Sequence, residues 1–147
     1  LKEEGLFDIP KNVEYTDELN QHKYRNEKIH RRLIKDRGFT WAKNIYWGNL
    51  KDPFKGHNPE WTTAAAIEFI EEHKDQPFYL HVCSTLLHGP NGEWHNSLLN
   101  RELVTGEGMI EKPINSQPSR ASVMKRIKAA GLTENEAGYL WMDDSIG

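Results

Sequence analysis

The chain has little sulfur, no long apolar run and no strong excess of charge, and each shortage excludes a class of protein. A single cysteine, Cys83, rules out an internal disulfide and any metal site built from several thiolates, and it leaves the redox compartment open. No apolar stretch approaches the roughly 20 residues that a membrane-spanning helix needs, and no secretory leader is visible. The net charge is -3 with no uninterrupted basic block, which argues against a dedicated nucleic-acid binder. An initiator methionine is also missing, and residues 139–147 read as a helix cut off in mid-course. The expectation is therefore an excised piece of a longer protein, and the lack of a leader says nothing about that parent.

What is there suits a globular chain. Hydrophobic residues make up 37% and charged residues 28% of 147 positions, and five tryptophans are spread along the length. That is enough for one domain with a real core.

Residues 1–15 show little periodicity, and Pro10 opposes a helix. Thr16 before Asp17 and Glu18 is an N-cap with first-turn acids. Leu19, Asn26, Ile29, Leu33 and Ile34 continue a partial helical stripe, ending on Lys35, Arg37 and a C′ glycine, Gly38. His22 and His30 lie eight positions apart on this helix, too far for an i, i+4 metal pair, and are expected on its solvated surface.

Residues 39–47 are aromatic and β-branched and predict a strand, and 48–58 a loop. Thr62 or Thr63 is expected to cap a second helix over about 63–74, burying Ala66, Ile67, Phe69 and Ile70. His73 suits the negative end of that helix.

The run Phe78-Tyr-Leu-His-Val-Cys-Ser84 follows the Asp75-Gln76-Pro77 turn and predicts an interior strand, apolar on both faces. His81 is then expected as a buried histidine with a partner, and Cys83 as a small core residue. The strand ends in a turn carrying His88, where Gly89 before Pro90 is pushed toward extended geometry. Ligands of open α/β sheets bind beyond the carboxyl ends of strands. His88 is accordingly a candidate acid/base or substrate-binding group, its plainer alternative being a hydrogen bond to the loop.

Residues 91–118, with Gly106, Gly108, Pro113 and Pro118, read as a long loop. Ser119 or Ser122 opens a helix through Val123, Ile127 and Ala130 that ends at Gly131. Thr133-Glu-Asn-Glu136 is a capping box opening a last helix whose apolar positions are Tyr139, Leu140, Met142 and Ile146. The order of helices and strands predicts an α/β fold without internal repeats.

Several of these pieces, in this order, resemble the middle of a sulfatase of the alkaline-phosphatase superfamily. They are Gly38-Phe39 leading into an aromatic stretch, and Asn58-Pro-Glu-Trp-Thr-Thr63 with its helix Ala66-Ile-Glu-Phe-Ile70. Lys74-Asp-Gln-Pro-Phe-Tyr-Leu80 running into His88-Gly-Pro90 follows, and Gly138-Tyr-Leu-Trp-Met-Asp-Asp-Ser-Ile-Gly147 closes the series. The resemblance covers most of residues 38–147 and implies part of a mostly parallel sheet flanked by helices. It also implies a hydrolase of sulfate esters that uses formylglycine as nucleophile and calcium to hold the sulfate oxygens. His88 matches the family's H-x-P histidine, which donates to the sulfate or the leaving oxygen. The family's nucleophile motif and its G-K-W-H motif belong ahead of this segment, and its Asp-Asn metal pair belongs just after it. One wall of an active site is therefore expected, with no cofactor held by the chain itself.

Two local matches compete for attention. Ser116-Gln-Pro-Ser-Arg120 fits the C/S-x-P-x-R nucleophile pattern but falls on the wrong side of the H-x-P segment, so coincidence is the expectation. Asp143 and Asp144 are adjacent on a helix, where side chains diverge by about 100°, and are poorly placed to share one ion. Other readings stay open: a phosphodiesterase or phosphonate hydrolase of the same superfamily, or a non-catalytic module binding saccharide or protein through Trp41, Trp47, Trp61 and Trp94. Expected partners are a sulfate-ester small molecule or sulfated saccharide, with neither nucleic acid nor a membrane span. Self-association through an unpaired strand edge is also open. The compartment is not legible, although many relatives are exported.

Overall fold

A computed structural model describes residues 5–47, 52–87 and 93–147. The chain divides into two compact units, one of Leu1–Lys55 with Leu103–Glu111, the other of Gly56–Glu102 with Lys112–Gly147.

The first unit is built on helix α1, Asp17–Lys35. Thr16 caps it as expected, its hydroxyl accepting the Leu19 N–H at 3.1 Å. The helix closes at Asp36, and Gly38 turns the chain at φ 100° two residues later. The inner face of α1 is polar. Lys23, Asn26 and Glu27 are buried, with Glu27 fully so. Two carboxamides on α1 act as surrogate strands. Asn26 accepts the Phe7 N–H at 2.9 Å and donates to the Phe7 carbonyl at 2.7 Å. Asn20 treats Met109 the same way, at 2.7 and 3.4 Å.

Met109 belongs to a small hairpin, β1 (Val104–Thr105) against β2 (Gly108–Met109), antiparallel with Val104 opposite Met109. Gly108, at φ 105°, has no room for a Cβ because Asn20 fills the space. Ile9, Phe54 and Val104 form the apolar core of this unit, with Leu19 packed against it.

Glu27 holds the segment that the sequence casts as a strand. Its Oε1 accepts from Arg31 Nε at 2.6 Å and from the Ile45 N–H at 3.1 Å. Lys28 bridges Glu27 and Glu107 at 3.3 and 3.2 Å. Burial alone would lower the Lys28 pKa, but the two carboxylates outweigh it and raise it. Residues 39–47 therefore pair with a helix side chain instead of a strand, and Asn44 at φ 54° breaks the extended run.

His22 and His30 correct another expectation. Neither is simply solvated: His22 stacks on Phe7 at 3.8 Å and His30 on Trp47 at 5.0 Å.

The second unit is helical: α2 (Pro59–His73), α3 (Glu93–Asn100), α4 (Arg120–Ala129), a 3-10 turn Glu134–Glu136 and α5 (Ala137–Ile146). α2 starts at Asn58 rather than at Thr62 or Thr63. The Asn58 side chain accepts the Trp61 N–H, and Pro59 occupies the first turn, where no N–H is needed. The buried side chains include Trp61, Thr63, Ala65 and Phe69, and Ile67 and Ile70 are more than 40% exposed. His73 stays at the C-terminal turn, stacked on Phe69.

Ser119 caps α4, and the Thr133–Glu136 capping box is present. In α5 the buried side chains are Ala137 and Trp141, whereas Tyr139 and Ile146 face out. Gly138 lets that helix approach the Trp94 indole, where a Cβ would sit 3.2 Å from the ring. Leu86, Trp94, Leu98, Val123, Ile127, Ala137 and Trp141 form the core.

The fold is thus mixed helix and strand, but the mostly parallel sheet is not found. Among the described residues the only sheet is the two-stranded antiparallel hairpin. Residues 91–118 are not a bare loop either, since they contain α3 and that hairpin. No helix of the described residues is long and apolar enough to cross a membrane.

Burial, helped by the Lys23 charge and opposed by Glu27, holds the His30 pKa below its ordinary 6.5. The unfolded chain then binds this proton first, so the contribution is complete above pH 6.5 and is lost as pH falls toward the folded-state value. Equilibrium unfolding across this range should show wild-type stability declining on acidification, and His30→Gln should remove part of that slope. An unchanged slope would mean that His30 does not resist protonation in the fold.

Candidate active site

The stretch expected to carry the site is extended but not laddered. Residues 77–85 run on from the end of α2 without a strand partner among the described residues. Phe78 packs edge-on against Phe69 at 5.4 Å, which anchors its start. Phe78, Tyr79 and Val82 are 45%, 74% and 51% exposed, so the two apolar faces of an interior strand meet solvent instead of sheet neighbours. His81 and Cys83 are exposed as well, which corrects both core assignments. Their side chains lie on one face, as the two-residue strand period demands, with His81 Nε2 3.6 Å from Cys83 Sγ.

The far end of the segment is fixed by groups that sequence reasoning missed. Thr85 Oγ1 lies 3.1 Å from Nδ1 of His57, a buried histidine on the loop before α2. The His57 ring leans on Trp94 at 5.2 Å, and its backbone N–H donates to Ser97 Oγ at 2.9 Å. The available signal was Asn58-Pro59: an N-cap followed by proline fixes the start of α2 and so turns the preceding residue inward. Leu86 enters the core, and Leu87 adopts φ 63°. A left-handed conformation costs a branched residue about 1–2 kcal/mol. Strain of this kind clusters where a chain is aimed for function. The next residues, His88, Gly89 and Pro90, lie outside the described residues, as does the placement of the His88 imidazole.

The Ser116–Arg120 match lies in a different setting. Arg120 is buried and forks onto Glu60, Nε to Oε1 at 2.9 Å and Nη2 to Oε2 at 3.0 Å. Its Nη1 donates to the Ser97 carbonyl, and the guanidinium lies 4.7 Å from the centre of the Trp141 ring. Trp141 Nε1 also donates to Glu60 Oε1, at 3.1 Å. Ser116 Oγ donates to the Glu60 backbone carbonyl at 2.7 Å. The arginine and serine that matched a nucleophile motif are thus committed to holding α2, α4 and α5 together. Asn58, Glu60, Glu102, Gln117 and Arg120 line the small polar cavity beside this cluster.

Asp144 takes both ends of the Arg126 guanidinium, whose pKa this bond raises. That is a helix-packing role for half of the Asp143-Asp144 pair. Among the described residues no group of three or more His, Cys, Asp or Glu could hold a metal ion. Of the tryptophans that could have formed a binding platform, Trp61 and Trp94 are buried at 2% and 3% exposure and cannot serve, while Trp41 and Trp47 are half-buried.

No protein-family model and no curated protein matches this chain.

Removing one member of a buried ion pair leaves the other charge without a partner, at a cost of roughly 3–5 kcal/mol. Arg120→Ala should therefore lower unfolding free energy by about that amount in denaturant titration. A loss of less than about 1 kcal/mol would show that the fork contributes no more than an ordinary surface pair.

Proposed function

We propose that this chain is the middle segment of a sulfatase-like catalytic domain and supplies one wall of the active site of a sulfuric ester hydrolase. The observation that carries the reading is the run from Phe78 to Ser84. A strand apolar on both faces is suited to the inside of a sheet, and here it is largely exposed, with no strand partner among the described residues. Strands from the rest of the parent domain would cover it, and its end would deliver His88 to the edge where α/β sheets bind ligands. The four matching pieces in family order are the second support.

In this reading the chain's own contribution is His88. Its imidazole donates a hydrogen bond to a sulfate oxygen or a proton to the departing alkoxide or phenoxide. His57 and Thr85 tie down the strand end behind it. Formylglycine and calcium belong to the rest of the parent, where the ion would neutralise charge on the sulfate oxygens. The bond from Ser116 to the Glu60 carbonyl supports reading the Ser116–Arg120 match as coincidence. A phosphodiesterase or phosphonate hydrolase of the same superfamily would use the same wall. The nucleophile motif of the parent and a comparison of aryl sulfate with aryl phosphonate turnover separate the two. The tryptophan-platform reading loses two of its four residues to the core.

In the complete parent, His88→Ala should reduce kcat/KM for an aryl sulfate by roughly 10² to 10⁴, the range for a positioned acid. Near-normal turnover would remove the assignment. The 147-residue chain alone should neither hydrolyse aryl sulfates nor bind calcium tightly, and micromolar calcium affinity by calorimetry would contradict the placement of the ligands elsewhere.

A further inference from the structure

Residues 77–85 carry two side chains that ligate metals, and they share one face. His81 and Cys83 are both exposed, and the strand period of two sets them side by side, with Nε2 3.6 Å from Sγ. A tetrahedral zinc ion holds thiolate sulfur at about 2.3 Å and imidazole nitrogen at about 2.0–2.1 Å, so two such ligand atoms lie about 3.6 Å apart. The pair therefore already stands at the spacing of one edge of a zinc tetrahedron. Among the described residues no third His, Cys, Asp or Glu joins it, so one chain supplies half of a four-ligand site.

The segment that carries the pair is itself unpartnered. Among the described residues the backbone of 77–85 makes no backbone hydrogen bond and joins no ladder. An open edge of this kind is a template for another strand. Antiparallel pairing of two copies about Val82 puts each copy's His81 directly opposite the other's Cys83. Opposite residues point to the same face with Cβ atoms about 4.5–5.5 Å apart. Two imidazoles and two thiolates then converge on one point. The single cysteine excludes a site of several thiolates within one chain, but two copies bring two.

From the spacing of this pair and the open edge beneath it, we infer that His81 and Cys83 are half of a zinc site with two cysteine and two histidine ligands, completed by a second copy of the chain. Thiolate and imidazole in a tetrahedron select zinc, whereas calcium and magnesium take oxygen ligands. Each thiol gives its proton to solvent as its sulfur binds, and each imidazole binds through an unprotonated Nε2. A lone two-stranded pair is marginal in water, so the metal holds the two copies together. The inference does not rest on the sulfatase reading, in which strands of the parent would occupy the same edge.

The test is sedimentation equilibrium and native mass spectrometry of the metal-free chain under a phosphine reductant, with zinc, calcium or no metal added. Zinc should convert monomer to dimer at one ion per two chains, a chelator should reverse the change, and calcium should have no effect. Cobalt in place of zinc should show the visible bands of a tetrahedral ion together with a thiolate charge-transfer band. Cys83→Ser and His81→Gln should each lose the zinc-dependent dimer at an unchanged metal-free melting temperature, since both side chains are exposed. A dimer that forms without zinc, zinc bound by single chains without dimerisation, or a zinc dimer that survives both substitutions would each overturn the inference. Hydrolysis is not the readout, so a failed His88 experiment sinks the catalytic reading without touching this one, and the converse holds.

Discussion

The second unit depends on one buried ion pair. Glu60 on the first turn of α2 and Arg120 on the first turn of α4 meet in a two-pronged fork, roofed by the Trp141 indole of α5. Each charge would be costly to bury alone, so each fixes the position of the other. Spare hydrogen-bonding capacity is then used up. Arg120 also reaches the Ser97 and His57 carbonyls, and Trp141 Nε1 also reaches Glu60. His57 is held in turn, and through it Thr85, the last anchored polar group before the turn at Leu86 and Leu87. The pair contributes geometry more than stability, because well-packed apolar groups of equal volume could have supplied as much free energy.

The first unit uses the same device with different chemistry. Glu27, fully buried, accepts from Arg31 and from the Ile45 backbone, while Asn20 and Asn26 hydrogen-bond whole peptide units of Met109 and Phe7. Side chains on a helix thereby satisfy backbone groups that a sheet would otherwise have paired. This accounts for an apolar, aromatic stretch at 39–47 that forms no ladder. On α1, Asn20, Asn26 and Glu27 bind peptide groups, Lys23 is buried with them, and Arg25, Arg32 and Lys35 are exposed.

The segment 77–85 is the opposite case. It has the composition of a sheet interior and, among the described residues, neither a strand nor a polar helix face to pair with. Local preference still keeps it extended, since β-branched and aromatic residues disfavour helix and Pro77 opposes a continuation of α2 through it. Preference for extended backbone is a property of the chain, whereas a sheet is a property of two chains or two segments.

Local, short-range features were legible in the residues. Thr16, Ser119 and the Thr133–Glu136 box were readable as helix starts because a cap is decided within four residues. His73 at the end of α2 was readable for the same reason. The H-x-P histidine could be nominated from motif order but not located. What tertiary structure alone decided was the use of polar groups across long separations. Glu60 and Arg120 are 60 positions apart, and Asn20 and Met109 are 89 apart. No periodicity marks such pairs, since each residue is locally an ordinary charged or amide side chain. The burial of Trp61 and the inward face of α2 go with the Glu60–Arg120 pair, because a long-range bond between polar groups sets which side of an element is turned inward. Cys83, by contrast, is exposed because residues 77–85 have no strand neighbour among the described residues.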